Sequence, residues 1–257
     1  SNHFRQERIV GFKVDEITKA PYRENGISVD LKEPFYSSEL YTDKIIQYIE
    51  KHRKDNKFKN NPFFAYAAYS APHWPLQAPD HYIKKYEDNY HVGYRAIKSK
   101  RLENMKKMGL VQEHLYPVES NLWPQWSQLD EITKLEEAKK MAVYAAMVEA
   151  LDFHIGRLVN FLDKSDLLED TVIIFLSDNG AEGNDPSVIL ENARWIPRNF
   201  NNSIENMGRA NSHISYGPRW AEVSATPFKN FKAFPSEGGI ISPAFITYPK
   251  FKRQGRI

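Results

Sequence analysis

Hydrophobic residues along this chain fall into two kinds of run. In the first, apolar side chains recur at alternating intervals of three and four: Met141, Tyr144, Val148, Leu151, Ile155, Leu158 and Leu162. That spacing lines one face of a helix, and it predicts a helix over 136–162 with the stripe turned to a core. A shorter series, Tyr41, Ile45, Tyr48 and Ile49, predicts a helix opening at Ser37/Ser38 and running to about His52, with Glu39 supplying negative charge early. In the second kind the apolar residues are consecutive. Val172-Ile173-Ile174-Phe175-Leu176 stops at Ser177-Asp178-Asn179-Gly180, and Phe63 to Tyr69 stops at Ser70-Ala71-Pro72-His73-Trp74-Pro75. A third such run, Ile240 to Tyr248, follows the turn Ser236-Glu237-Gly238-Gly239. Unbroken apolar runs of this length predict strands buried on both faces. A helix leading directly into such a strand, as 136–162 leads into 171–177, is the rhythm of an α/β sheet.

Between these elements the pattern is weaker. Residues 1–35 are polar with scattered Pro and Gly and read as irregular, with short strands at most. Residues 80–110 are helical in parts, 111–130 form an ordered loop around Trp123 and Trp126, and 181–216 form a long polar insertion. No internal repeat or glycine-rich phosphate loop is present.

Composition removes several kinds of chemistry. The chain has 257 residues and no cysteine, so disulfides, thiolate metal sites and a cysteine nucleophile are excluded. Its net charge of +2 gives no basis for nucleic-acid binding. The local run Lys98, Lys100, Arg101, Lys106, Lys107 is broken by Glu103 and reads as a solvated helix face. No run approaches the ~18 apolar residues that span a membrane, and the polar amino terminus carries no signal-peptide pattern.

Candidate chemistry sits at the ends of the apolar runs. In an open α/β sheet ligands bind outside the carboxyl ends of strands, which is where Asp178 and Asn179 fall. A carboxylate beside an amide oxygen is a pair of hard donors suited to Ca²⁺ or Mg²⁺; the competing reading is a simple Asp-Asn-Gly turn. His73 stands just past a second run, either as a reactive group or as a surface histidine between prolines. Lys232 precedes Glu237-Gly238-Gly239 and, taken alone, reads as solvated. His154 reads as structural or solvent-facing, and His213 in the polar insertion has a substrate-side reading.

Taken in order, these segments resemble the sulfatase family of the alkaline-phosphatase-like superfamily, bacterial-type arylsulfatases in particular. The matching pieces are Phe63-Phe64-Ala65-Tyr66 through Ala71-Pro72-His73-Trp74-Pro75-Leu76-Gln77-Ala78-Pro79, then Tyr144 to Asp152 with Ile155-Gly156-Arg157. They continue with Phe175 to Gly183, and end with Thr226 to Lys232 followed by Glu237-Gly238-Gly239-Ile240. The resemblance implies a three-layer α/β sheet flanked by helices. It implies that Asp178 and Asn179 bind a divalent cation, usually Ca²⁺, and that His73 and Lys232 contact the sulfate group of a small-molecule sulfate ester. Those residue types suit the reaction. Charge builds on the leaving and non-bridging oxygens, which a cation and a lysine stabilise, and a histidine can protonate the leaving oxygen.

Two parts of the family pattern have no counterpart. The family's formylglycine nucleophile comes from Cys or Ser in a Cys/Ser-x-Pro-x-Arg motif, and a paired aspartate completes the metal site; the chain has no cysteine, no Ser-x-Pro-x-Arg and no Asp-Asp. Where the family has Arg after Glu-Gly-Gly-Ile, this chain has Ile241. The expectation is therefore a middle portion, 1–257, of a sulfatase catalytic domain with an incomplete sheet. It should be inactive alone, hold Ca²⁺ weakly and self-associate through an open sheet edge. Within the superfamily a phosphodiesterase or phosphonate hydrolase is the alternative, and outside catalysis a binding module.

Overall fold

The computed structural model describes residues 2–8, 18–116, 122–252 and 255. Its elements run β1 (Glu7–Arg8), β2 (Thr18–Lys19), β3 (Tyr22–Glu24), β4 (Ile27–Val29), α1 (Ser37–Lys54), α2 (Asp80–Ile83) and α3 (Gly93–Lys107). They continue with α4 (Glu131–Lys164), β5 (Ile173–Leu176), α5 (Leu190–Asn199), α6 (Gly217–Ser224), α7 (Glu237–Ile240) and β6 (Ala244–Thr247).

The long helix forms and reaches further at both ends than its apolar stripe requires. Asp130 caps it by accepting the Thr133 amide at 2.8 Å, which satisfies one of the unpaired donors at a helix start. Ala138, Ala142, Ala146 and Ala150 recur every fourth residue and are fully buried. Such small residues let neighbours close tightly on α4. Trp220 of α6 is one of them: its side chain is fully buried, and its indole N–H donates to the Glu137 carbonyl at 2.9 Å. Helices α1 and α2 pack on other parts of α4, and α3 packs on α6.

Gln77 stitches three distant segments into this core. Its Oε1 accepts the His3 amide at 2.8 Å, and its Nε2 donates to the Ser212 carbonyl at 2.8 Å. On either side of it, the Leu76 amide donates to Ile214 and the Ala78 amide to Gly208, both at 2.9 Å. A buried amide side chain is tolerable because its polar atoms are paired.

The α1 helix forms where the pattern placed it, with a difference at its start. Tyr36 is the capping residue, and the Ser37 hydroxyl bonds the His3 ring at 2.7 Å instead of the helix end. The 80–110 stretch resolves into α2 and α3. Lys98 of its basic run is buried, while Lys100, Arg101 and Lys107 are exposed. Of the 111–130 stretch, residues 117–121 lie outside the described residues, as do 9–17 of the amino-terminal region.

The strands depart from expectation most. Each sheet among the described residues is a two-stranded antiparallel pair: β1–β2, β3–β4 and β5–β6. No parallel ladder is present among them, so the three-layer sheet is not seen in this structure. The β5 strand lies within the predicted 171–177 run, paired with β6 from Ile173↔Thr247 to Leu176↔Ala244. It is not buried on both faces: Ile174 is 63% exposed and Leu176 59%. Residues 63–69 form no strand, and Phe64 is 92% exposed. The third run shortens to β6: Ile240 ends α7, and residues 241–243 lie in no regular element. An apolar run reports a preference for burial, and the burial itself requires partner elements over the face. The 181–216 insertion is also more ordered than its polarity suggested. It contains α5 and carries Trp195, Ile196, Ser212 and His213 into the interior.

Candidate functional site

The two apolar runs that end in polar residues do meet at one place. After β5, Ser177 is held by the 242–243 turn: its amide donates to Pro243 at 3.1 Å, and its carbonyl accepts the Ser242 hydroxyl at 2.7 Å. The chain then enters the loop Asp178 to Gly183, which lies directly on the 229–239 loop. The Gly180 amide donates to the Gly239 carbonyl at 3.3 Å, and the Lys232 amide to the Ala181 carbonyl at 2.9 Å. Glycine is required at this contact. A Cβ on Gly180 would lie 2.1 Å from the Gly238 oxygen, and one on Gly183 would lie 2.3 Å from the Phe231 ring.

This close approach brings Glu182 to Lys232. The Lys232 Nζ lies 2.7 Å from Glu182 Oε2, and His73 Nε2 reaches the same oxygen at 3.6 Å. The Glu182 side chain is only 10% exposed, whereas Lys232 and His73 are open to solvent by about a third or more. Burial alone would raise the Glu182 carboxyl. The hydrogen bonds from Lys232 and the Asn184 amide, with the charges of Lys232 and His73, outweigh it and hold the carboxyl below its ordinary value.

His73 is oriented from behind. Its Nδ1–H donates to the Trp74 carbonyl at 2.7 Å, which leaves Nε2 facing Glu182. Its own carbonyl accepts from the His3 ring, Nε2 to oxygen, at 3.3 Å. A carbonyl can only accept, so His3 carries its proton on Nε2, and its Nδ1 accepts the Ser37 hydroxyl. Burial pushes the His3 imidazole down to about 4, which keeps it neutral in this role.

Asp178 and Asn179 are on the same loop. Asp178 is exposed; Asn179 is half-buried, and its Nδ2 donates to the Gly180 carbonyl at 2.9 Å, leaving Oδ1 as the free acceptor. Their oxygens are of the type that Ca²⁺ takes, but a Ca²⁺ site needs about six to eight. Among the described residues no group of three or more His, Asp or Glu is placed to hold a metal. The donor type fits and the donor number does not.

His213 lies in the interior, packed on Trp74, the neighbour of His73. It is 2% exposed, boxed by Phe200, Trp74 and Trp195 at ring-centroid distances of 5.2, 5.8 and 6.5 Å. Asn202 holds its backbone through both the amide and the carbonyl. His154 is buried against Tyr36 and Phe153, which agrees with its structural reading.

A model of the sulfatase family matches residues 5–257. The chain belongs to the sulfatase family. A Schizosaccharomyces pombe protein named as an uncharacterized sulfatase is 42% identical over 233 residues, 89% of this chain and 41% of that protein. Klebsiella aerogenes arylsulfatase is 35% identical over 237 residues, 92% of this chain and 50% of that enzyme. Among solved structures, Ps i-CgsB aligns with 90% of this chain and 31% of its own at 23% identity and a TM-score of 0.47. This sulfatase chain thus spans half or less of the length of these curated relatives.

Of the residues singled out in the sequence, His73 and Lys232 of this sulfatase chain come together, and Asp178 and Asn179 sit on the loop that joins them. Glu182 was not singled out. The signal available was its position in Asp178-Asn179-Gly180-Ala181-Glu182-Gly183, a second carboxylate in the same short loop.

Proposed function

We propose that this chain is part of a sulfuric ester hydrolase of the arylsulfatase kind. The observation that carries the reading is the meeting of His73 and Lys232, from distant parts of the sequence, on one side of a buried carboxylate. Two partly exposed nitrogen-bearing side chains backed by a fixed anion form a receptor for a small oxyanion such as the sulfuryl group of an ester. On this reading Lys232 stabilises the charge that develops on the non-bridging oxygens of a sulfate ester. His73 keeps its Nδ1–H on the Trp74 carbonyl and, as the imidazolium, gives its second proton from Nε2 to the leaving oxygen, ending as the neutral ring. Asp178 and Asn179 would contribute two oxygens to a Ca²⁺ held mainly by other groups, which would supply electrostatic stabilisation when bound. Support also comes from the family match and from the arylsulfatase name of the Klebsiella relative.

The nucleophile of such a reaction is not among these residues, so the chain by itself should bind sulfate without turning over an ester. Purified chain assayed against an aryl sulfate, in parallel with a titration by inorganic sulfate, tests this. Sulfate binding that is lost in Lys232→Met, with no turnover, is the expected result. Turnover abolished by His73→Ala would overturn the inactivity. Absence of sulfate binding would overturn the assignment of the two nitrogens.

A further inference from the structure

We propose that Glu182 is the positioning residue of this cluster: its inner carboxylate sets Lys232 and His73 in place before an anion arrives. The inference rests on reading those two residues as sulfate contacts. Each Glu182 oxygen has its own task. Oε1 accepts the Asn184 amide at 2.9 Å, which fixes the carboxylate on its own loop, while Oε2 takes Lys232 at 2.7 Å and faces His73 Nε2 at 3.6 Å. The Lys232 backbone is pinned to the same loop through the Ala181 carbonyl at 2.9 Å. The lysine is therefore held at both ends, which removes most of the freedom of a long side chain. The carboxylate lies deeper than either nitrogen, so an anion entering from solvent meets the nitrogens first. Burial raises the Tyr216 phenol, and this carboxylate raises it further.

The arrangement has a cost. A fixed negative charge behind the two nitrogens opposes the anion they receive. Position and ground-state affinity are then in opposition, and removing the charge should separate them. In Glu182→Gln the shape is kept, the repulsion is gone and Lys232 loses its anchor.

The test is made on the whole folded chain by NMR, following the Lys232 side-chain ammonium and the His73 ring, with inorganic sulfate as probe. In the parent chain the Lys232 ammonium signal is expected to be visible without sulfate, protected by Glu182. In Glu182→Gln it should disappear without sulfate and return with it, while sulfate binds about tenfold tighter. An ammonium signal unchanged by the substitution, or unchanged or weaker sulfate affinity, would overturn the role of Glu182. If sulfate moves neither His73 nor Lys232 in either protein, the sulfate reading fails, and the sulfate-free ammonium signal still judges the positioning. Should Glu182→Gln not fold, Glu182→Asp carries the same test. With the carboxylate drawn back by one methylene, the ammonium signal should weaken and sulfate affinity rise by a smaller factor; no change in either would overturn the proposal.

Discussion

The Phe231 ring sits on Gly183 so closely that a methyl group there would fall 2.3 Å from its Cε2 atom. This contact stacks the loop carrying Glu182 on the loop carrying Lys232. Phe231 is itself buried and meets Phe234 edge-on at 5.1 Å, so the neighbour of Gly183 is a packed aromatic side chain, not backbone. The 2.7 Å pair between Glu182 and Lys232 thus depends on a glycine that has no polar role.

Two glycine substitutions should differ in a way that separates side-chain from backbone resistance. At Gly183 the obstacle is a ring, which can shift; at Gly180 it is the Gly238 carbonyl, whose oxygen a new methyl group would approach to 2.1 Å. Gly183→Ala should cost about 1–3 kcal/mol, as overpacking usually does, and Gly180→Ala more. Chemical denaturation checks the order. Equal losses would mean that the two loops do not close as described.

Acid should destabilise this chain over a defined window. Burial pushes both His3 and His213 down to about 4, against 6.5 for an ordinary histidine. Above 6.5 each is neutral in both folded and unfolded chains and contributes no slope. Between about 6.5 and about 4 the unfolded chain takes up protons that the folded one refuses, so stability falls as pH falls. Each histidine contributes about 3 kcal/mol across that range, and the loss levels off below it. The depressed Glu182 carboxyl has the same sign, its contribution being lost as pH falls through its folded value. Melting temperature followed from pH 7 to 4 checks this, and His213→Phe, which fits the aromatic box without titrating, should remove one histidine's share of the slope.

Backbone conformation beside Lys232 gives a further prediction. Ala233 has φ of +78°, a left-handed conformation that a residue with a Cβ adopts at a cost of about 1–2 kcal/mol. Ala233→Gly relieves that cost and loses part of the gain to unfolded-chain entropy. A net gain of about 0.5–1 kcal/mol is expected, measured by denaturation; a loss would mean that the Ala233 methyl makes contacts outweighing its backbone strain.

What the sequence disclosed follows the range of the forces involved. The α4 helix was legible because its apolar residues at alternating three and four are local and repeat over many turns, although Val148 of that stripe is 42% exposed and the buried face is lined by Ala138, Ala142, Ala146 and Ala150 instead. The end of β5 at Ser177 and the polar loop after it were equally local. Burial of Ile174 and Phe64 was not legible, since their exposure depends on whether other elements lie over them. His213 was hidden by its setting in a polar, asparagine-rich stretch, where only Trp195 and Phe200 hinted at an interior. The meeting of His73 with Lys232 was visible only through family resemblance, and Glu182 between them was missed because a second carboxylate in a short polar loop reads as one more turn residue until its distant partners are placed.

The exposed face of the β5–β6 pair gives the last prediction. Val172 just before β5 and Ile174 and Leu176 within it alternate along one side, Ile246 of β6 pairs with Ile174 on that same face, and all four are half or more exposed. Contiguous apolar surface of this sort on a strand pair with an open edge favours association. The isolated chain is expected to self-associate, its average mass in sedimentation equilibrium rising with concentration. Replacing Ile174 and Leu176 together by Thr keeps β-propensity and removes most of the apolar area. That variant should dissociate at least about tenfold more readily, since each side chain withdrawn from an interface forfeits about 1.5–3 kcal/mol at most. A parent chain that stays monomeric at high concentration would show that this face does not drive association, and an unchanged variant would move the contact to another surface.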